Sequence, residues 1–186
     1  ANLVSVTFSA FDEFLTIGDT PDKKKAIIGY TNVGLKKLVG RKPDRKIITQ
    51  DIARLSVDFA NSALICARGV RRSRWKRALE TLETDSLFGE IEVANLADIT
   101  DEEEFLDQAR VLYKKLSSGH KIVLLTMTRL VELVEERTLV LMDEPEAHLH
   151  PPLLSAFVRA LSDLLTNRNG VAIIATHSPV VVQEVP

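Results

Sequence analysis

The stretch that decides the fold is LVLMDEPEAHLH, residues 139–150. Its four leading apolar residues predict a strand buried on both faces, and this strand delivers Asp143 and Glu144 at its carboxyl end. Ligands bind at that end of an open α/β sheet. A first carboxylate there can hold Mg²⁺ through water, and a second can orient or deprotonate an attacking water. The alternative is an ordinary strand exit with two solvated acids, which the following Pro145 to His150 makes the weaker interpretation.

The residues after this stretch predict a βαβ unit. Leu153 to Leu165 has helical periodicity, Asn169 and Gly170 end the helix, and Val171 to Ala175 forms a second apolar strand. A strand, a helix and a strand in this order place the last third of the chain in an α/β fold with a parallel sheet.

The rest of the chain contains one clear strand and several helices. Leu3 to Phe8 alternates as a strand, and residues 18–46 are expected to be loop-rich with a short strand at Ala26 to Tyr30. Thr100 to Glu103 has the pattern of a capping box, with the Thr100 hydroxyl as the N-cap. Apolar periodicity predicts helices over 49–67, 71–84, 100–115 and 121–137.

Composition excludes several classes of protein. The chain has 186 residues, 45% of them hydrophobic, and a net charge of -2, which is too apolar for intrinsic disorder. No apolar run is long enough to cross a membrane, so no membrane association is expected. The N-terminus does not resemble a signal peptide. A single cysteine, Cys66, cannot form an internal disulfide and fits a reducing compartment, so a cytoplasmic location is expected.

Two further motifs flank the acidic strand end in sequence. Leu116 to His120, LSSGH, precedes a helix whose N-terminal amides can meet a phosphate; a plain N-cap is the alternative. His177, in ATHSP, follows the second apolar strand and should face the same sheet edge as Asp143 and Glu144; a structural histidine is the alternative. Along the chain, LSSGH comes first, the acidic strand end second and the His177 loop third.

Together these motifs resemble those of ABC-type ATPases. Residues 139–144 resemble the Walker B strand, and ATHSP resembles the switch-histidine loop. LSSGH is similar to the signature LSGGQ, with Ser118 in place of glycine and His120 in place of glutamine. Residues 145–150 resemble the D-loop, which packs across a dimer in that superfamily.

The resemblance implies ATP and Mg²⁺ as cofactors. Asp143 would position the metal, Glu144 would act as general base or orient the water, and His177 would contact the γ-phosphate. Ser117, Ser118 and Gly119 would bind the nucleotide of a partner subunit, because the signature works in trans. The chemistry would be phosphoryl transfer by positioning and charge neutralisation.

One part of that family's machinery is absent from the sequence. The phosphate-binding loop needs G-x-x-x-x-G-K-[ST], and the chain contains no Gly-Lys pair. Either the first βα unit lies upstream of Ala1, or that half is absent from the polypeptide. The expected fold is therefore α/β, an ABC-type ATPase head with a helical insert and without its phosphate-loop unit. The expected division is a first core strand in 1–15, a loop-rich and helical insert in 16–115, and the signature, Walker B, D-loop and His-loop half in 116–186.

A finer resemblance concerns the branch of the superfamily. EPEAHLHP and THSP are similar to RecF, Rad50-like and overcoming-lysogenization-defect (OLD) ATPases, and the whole motif run most resembles PtuA, the ATPase of Septu and some retron antiphage systems. This implies self-association around ATP, an HNH nuclease effector, and in retrons a reverse transcriptase and its msDNA. The alternatives are a nucleic-acid clamp of DNA repair, an ATP-dependent scaffold without turnover, and the ATPase part of an OLD-type nuclease.

Two clusters allow more than one interpretation. Arg68 to Arg77 has six bases in ten residues around Trp75, and residues 81–107 have ten acids and no base. The bases could bind nucleic acid or an acidic partner, with Trp75 able to stack on a base. The alternatives are a solvated helix face with Trp75 buried, and a basic face that pairs with the acidic block. His148 and His150 have a spacing that can ligate a metal, but no further Cys or His lies near them in sequence to complete a zinc set.

Overall fold

The computed structural model describes residues 2–8, 29–34, 36–39, 46–49 and 51–184. The strands within these residues are β1 (Asn2–Thr7), β2 (Gly29–Gly34), β3 (Lys36–Val39), β4 (Lys46–Thr49), β5 (Thr138–Asp143) and β6 (Val171–Ala175). The helices are α1 (Ile52–Cys66), α2 (Arg72–Leu82), α3 (Ser86–Glu90), α4 (Glu102–Lys115), α5 (Ser118–Leu133), α6 (Pro151–Thr166) and α7 (Pro179–Glu184).

The described core is a parallel sheet with strand order β2-β1-β5-β6. Thr7 on β1 is level with Asp143 on β5, and Asp143 is level with Ala175 on β6. The α6 helix connects β5 to β6, which confirms the predicted βαβ unit and the mixed α/β class. The hairpin of β3 and β4 is antiparallel and forms a separate sheet.

The two faces of the sheet are buried to different extents. On one face Val6, Val140 and Met142 are almost fully buried, and the Phe8 ring packs edge-on against Phe157 of α6 with centroids 5.5 Å apart. On the other face of β5 alternate residues are only half-buried, and Ile173 of β6 is 60% exposed. The expected burial of β5 on both faces is therefore wrong for this face, because the described helices pack mainly against the opposite one.

The helices α1 to α5 share one core with the covered face of the sheet. Phe59 of α1 stacks on Tyr113 of α4 with centroids 5.0 Å apart. The indole of Trp75 on α2 is fully buried, and its Nε1–H donates to the Thr128 hydroxyl of α5 at 3.1 Å. The interpretation of Trp75 as a platform for a nucleic-acid base is therefore wrong, since the ring is not accessible.

Helix starts differ from the sequence expectation by one to three residues. The N-cap of α4 is Asp101, whose carboxylate accepts from the Glu104 N–H at 2.8 Å, and not Thr100 as expected. Asp101 is favoured over Thr100 as the N-cap because its carboxylate places a charged acceptor at the helix N-terminus. Ser117 caps α5, so this helix begins at Ser118 rather than at Lys121. Of the strand expected at 26–30, Gly29 and Tyr30 lie in β2, and the other three lie outside the described residues.

The oppositely charged segments pair with each other. Arg72 and Lys76 of α2 both contact the Asp98 carboxylate, at 2.8 and 2.7 Å, and Arg68 contacts Glu102 at 2.6 Å. These side chains are about half exposed, so solvent screens the pairs and they contribute little to stability. The pairing uses half of the six bases of the Arg68 to Arg77 stretch.

Among the described residues, no helix combines the length and apolarity that a bilayer-spanning segment needs.

We predict that Thr128→Val destabilises the protein. The substitution keeps the side-chain shape but leaves the buried Trp75 N–H without an acceptor, which should lower the free energy of unfolding by about 1–3 kcal/mol. Denaturant unfolding followed by fluorescence measures this directly, because Trp75 is the chain's one tryptophan. Thr126→Val on the same helix is the matched control, since the Thr126 side chain is buried. Equal stability of the two variants would contradict the prediction.

Candidate functional site

The candidate site lies where β5 and β6 end side by side. The Glu144 N–H donates to the Ala175 carbonyl at 2.9 Å, so pairing between the strands continues one residue beyond β5. Glu144 then adopts a left-handed backbone with φ 41° and ψ 58°, a conformation that costs a non-glycine residue about 1–3 kcal/mol and often occurs at functional sites. Asp143 and Glu144 are both exposed.

The loop after β6 brings His177 to the same edge. Its Nε2 atom lies 3.4 Å from Glu144 Oε1, and 89% of the His177 side-chain surface is exposed. Asp143 and Ala175 are paired residues, and His177 follows Ala175 by two positions. The structure therefore places Asp143, Glu144 and His177 at one sheet edge, as the parallel-strand argument predicted, while their chemical roles stay predictions.

Glu146 fixes the position of the His177 loop, a role that sequence reasoning missed. Its Oε1 accepts from the Thr176 hydroxyl at 2.7 Å and from the His177 N–H at 2.6 Å. Burial alone would raise the pKa of Glu146, but these hydrogen bonds and others from the backbone hold it below its ordinary value. The anchoring charge is thus present at neutral pH and is lost only in acid, as the pH falls through the lowered pKa. The sequence signal that could have indicated this role is the third acid of DEPE, Glu146, together with the Thr176 hydroxyl donor next to His177.

The sheet edge also offers oxygen atoms of the kind that Mg²⁺ prefers. Thr7 is level with Asp143, and its Oγ1 atom is buried without a hydrogen-bond partner among the described residues. Hydroxyl, carboxylate and water oxygens are the ligands typical of this ion. The Thr7 hydroxyl lies against Gly34 of β2, so the residue at this edge that fits a magnesium ion is Asp143, which would hold it through water.

The signature-like segment lies against the loop that precedes α6. Ser117 and Ser118 are exposed at the start of α5, and Ser117 accepts the His120 N–H at 3.4 Å. A Cβ atom on Gly119 would approach the His148 carbonyl oxygen to 3.1 Å, so glycine permits this close packing. Ser117, Ser118 and Gly119 share no described contact with Asp143, Glu144 or His177.

His150 is part of a cluster that sequence reasoning did not find. Its partner is not His148 but Asp85: the His150 Nε2 atom lies 3.7 Å from Asp85 Oδ2. His120 Nε2 lies 2.8 Å from Asp85 Oδ1, and His120 Nδ1 lies 2.6 Å from the Ser117 hydroxyl. No sequence pattern links the three, because they come from the starts of α3, α5 and α6.

Comparison with known proteins gives a family and one phage relative. The whole chain aligns over 202 residues, at 44% identity, with "Protein ea59" of Escherichia phage lambda, and it spans 37% of the length of that protein. No solved structure matches the chain. Neither finding supports the finer resemblance to PtuA ATPases.

The family model described as "AAA domain, putative AbiEii toxin, Type IV TA system" matches residues 35–183. This range is most of the chain, and it includes β5, β6 and the edge with Asp143, Glu144 and His177. The match agrees with the mixed α/β fold and its parallel sheet, which are consistent with an ATPase-like fold. The chain therefore belongs to this AAA-domain family.

Proposed function

We propose that the chain is part of an Mg²⁺-dependent ATPase head and carries the acidic and histidine side of the ATP site. The observation that supports this most strongly is the 3.4 Å approach of His177 Nε2 to Glu144 Oε1 at the ends of two adjacent parallel strands. Family membership supports nucleotide binding in the same region. The proposal goes beyond family membership in three respects: ATP hydrolysis, dimerisation around ATP, and control of an effector.

Each residue at the edge has a role that its chemistry allows. The Glu144 carboxylate can orient a water and accept its proton, since it is exposed and next to the strand end. The imidazole N–H of His177 can donate to a terminal phosphate oxygen and so stabilise the charge there. Magnesium, when bound through Asp143, would neutralise phosphate charge. Glu146 is a positioning residue, because it acts on the backbone of the His177 loop.

A complete ATP site needs elements that the sequence of this chain does not contain. The missing phosphate-binding loop would come from the remainder of the protein, since the chain spans 37% of its phage relative, or from another polypeptide. The signature-like Ser117 to Gly119 segment would serve the nucleotide of a second copy. We keep the division into 1–15, 16–115 and 116–186 as a proposal, with the addition that β2 of the middle range pairs with β1.

The partners implied by the resemblance stay predictions. They are an HNH nuclease, a retron reverse transcriptase with its msDNA, and nucleic acid at Arg68 to Arg77. The last competes with the intramolecular pairs of Arg68, Arg72 and Lys76, which any polyanion would have to displace.

We predict that Glu144→Gln in the full-length protein nearly abolishes ATP hydrolysis and leaves ATP binding intact. The amide keeps the size of the side chain but cannot take a proton, so turnover should fall by about 10²–10⁴-fold. Phosphate release under single-turnover conditions, together with equilibrium ATP binding, separates the two effects.

Glu136→Gln is the matched control for that experiment, because Glu136 is an exposed acid just before β5. It should hydrolyse ATP like the unmodified protein. Unchanged turnover in Glu144→Gln would refute the catalytic assignment. If the unmodified protein and Glu136→Gln both show negligible ATP turnover but assemble in an ATP-dependent way, the protein is instead a nucleotide-dependent scaffold.

We predict that Glu146→Ala lowers kcat with little change in ATP affinity. The substitution removes the acceptor that holds the Thr176 hydroxyl and the His177 N–H, and misplacing a reacting group by about 1 Å can cost up to about 10²-fold. Glu146→Gln keeps an acceptor oxygen and should retain more activity than the alanine variant. If both variants lose ATP affinity and kcat equally, Glu146 acts on nucleotide binding and not on the position of His177.

A further inference from the structure

We propose that Asp85, His120 and His150 form a site for a divalent transition-metal ion, with zinc as the preferred ion. The site joins the signature-like segment to the loop before α6. It contains none of the residues assigned to ATP chemistry at the sheet edge, so its failure and the failure of the ATPase proposal can be distinguished.

The three side chains already have the spacing of a ligand set. One ligand atom from each lies within 4.8 Å of the others. His150 Nε2 lies 3.7 Å from Asp85 Oδ2, close to the separation of about 3.3 Å expected in a tetrahedral zinc site with bonds of about 2.0–2.1 Å. His120 Nε2 lies 2.8 Å from Oδ1 of the same carboxylate. Side-chain rotations that bring His120 Nε2 to the Oδ2 side of the carboxylate would complete the set.

Asp85 supplies the strongest reason to expect a cation. Its carboxylate is 1% exposed, and Oδ1 accepts the Leu87 and Phe88 N–H groups as the N-cap of α3. Oδ2 is buried without a hydrogen-bond partner among the described residues. Such an oxygen is costly to bury unless something positive compensates it. The two oxygens thus divide between capping and ligation.

His120 is held in an orientation suited to ligation. Its ring is buried and packs edge-on against Phe88 with centroids 4.9 Å apart. When His120 Nδ1–H donates to the Ser117 hydroxyl, the Nε2 lone pair is free to bind a metal. Metal-ligating histidines usually have such a second partner, which fixes their orientation. Without metal, Nε2–H donates instead to Asp85 Oδ1.

His150 forms the solvent side of the site. About half of its side-chain surface is exposed, which leaves an entry path and room for water as a fourth ligand. Its Nδ1 accepts the Leu153 N–H at a long 3.4 Å. Ligation through Nε2 would place a proton on Nδ1 and break this weak bond, a small cost beside that of leaving Asp85 Oδ2 buried without a hydrogen-bond partner.

The ligand types choose among metal ions. Two imidazoles and one carboxylate suit zinc and the neighbouring late transition metals, whereas Mg²⁺ prefers oxygen ligands throughout. The magnesium that serves ATP would therefore not fill this site. A bound zinc ion would connect the starts of α3, α5 and α6, and so hold Ser117 and the loop at His148 in one arrangement.

The test is metal binding to the full-length protein after chelator treatment and dialysis. We expect one zinc ion per chain by elemental analysis after equilibrium dialysis, a rise in melting temperature with Zn²⁺, and the visible absorption of tetrahedral cobalt when Co²⁺ replaces zinc. Millimolar Mg²⁺ should produce none of these effects. Ser117→Ala removes the hydrogen-bond partner of His120 Nδ1. This substitution should weaken zinc binding by about 10–100-fold.

Matched variants decide whether the ion occupies the proposed site. His150→Ala should lose zinc binding and the cobalt spectrum, whereas His148→Ala, which changes an exposed histidine two positions away, should keep both. Asp85→Asn keeps an oxygen to cap α3 and replaces the charged ligand, so it should fold and lose zinc. Circular dichroism verifies the fold of each variant, and His150→Gln serves if the alanine variant is unstable.

Two results would overturn the proposal. Zinc bound equally by His150→Ala and His148→Ala would show that the ion lies elsewhere. Absence of zinc binding by the unmodified, folded protein would show that Asp85, His120 and His150 form only a hydrogen-bonded cluster. Either result would leave the ATPase proposal intact, because ATP turnover of Glu144→Gln is measured separately.

Discussion

The parallel pairing of β1, β5 and β6 is the constraint on which the rest of the structure depends. The pairing sets Thr7, Asp143 and Ala175 level with one another, so the residues that follow these strands emerge at a single edge. Hydrogen bonding of the Glu144 N–H to the Ala175 carbonyl extends that alignment into the loops. A shift of register by one residue would reverse the faces of β5 and move Asp143 away from Thr7. The site chemistry is thus a consequence of backbone register before it is a matter of side chains.

The loops that leave this edge are joined to each other by hydrogen bonds. Glu146, from the loop after β5, accepts hydrogen bonds from the loop after β6, and Gly119 packs against the carbonyl of His148. The same loop after β5 therefore touches the histidine side and the signature-like side. This placement gives one short segment, residues 144–150, contact with both the His177 loop and the signature-like segment.

The sequence predicted the parts of the fold that depend on local pattern and strand order. Asp143, Glu144 and His177 were placed together because parallel strands of one sheet end at the same edge. Asp85 and His120 could not be associated, since their contact depends on how α3 packs against α5, and no periodicity encodes that packing. Exposure of Ile173 was also missed, because a continuous apolar run such as Val171 to Ala175 is typical of a strand covered on both faces, whereas Ile173 is exposed among the described residues. Trp75 is the opposite case. Its basic neighbours in sequence suggested a surface position, but its ring lies in the core.

The close approach at Gly119 has a mechanical consequence. With only a hydrogen atom on its α-carbon toward the His148 carbonyl, the first turn of α5 and residues 145–148 have no compressible side chain between them at this point. Displacement of either segment toward the other would bring backbone against backbone, with no side chain at position 119 whose rotamer could change to absorb it. A larger residue at position 119 would push the two apart by a few tenths of an ångström and set a new resting distance between them.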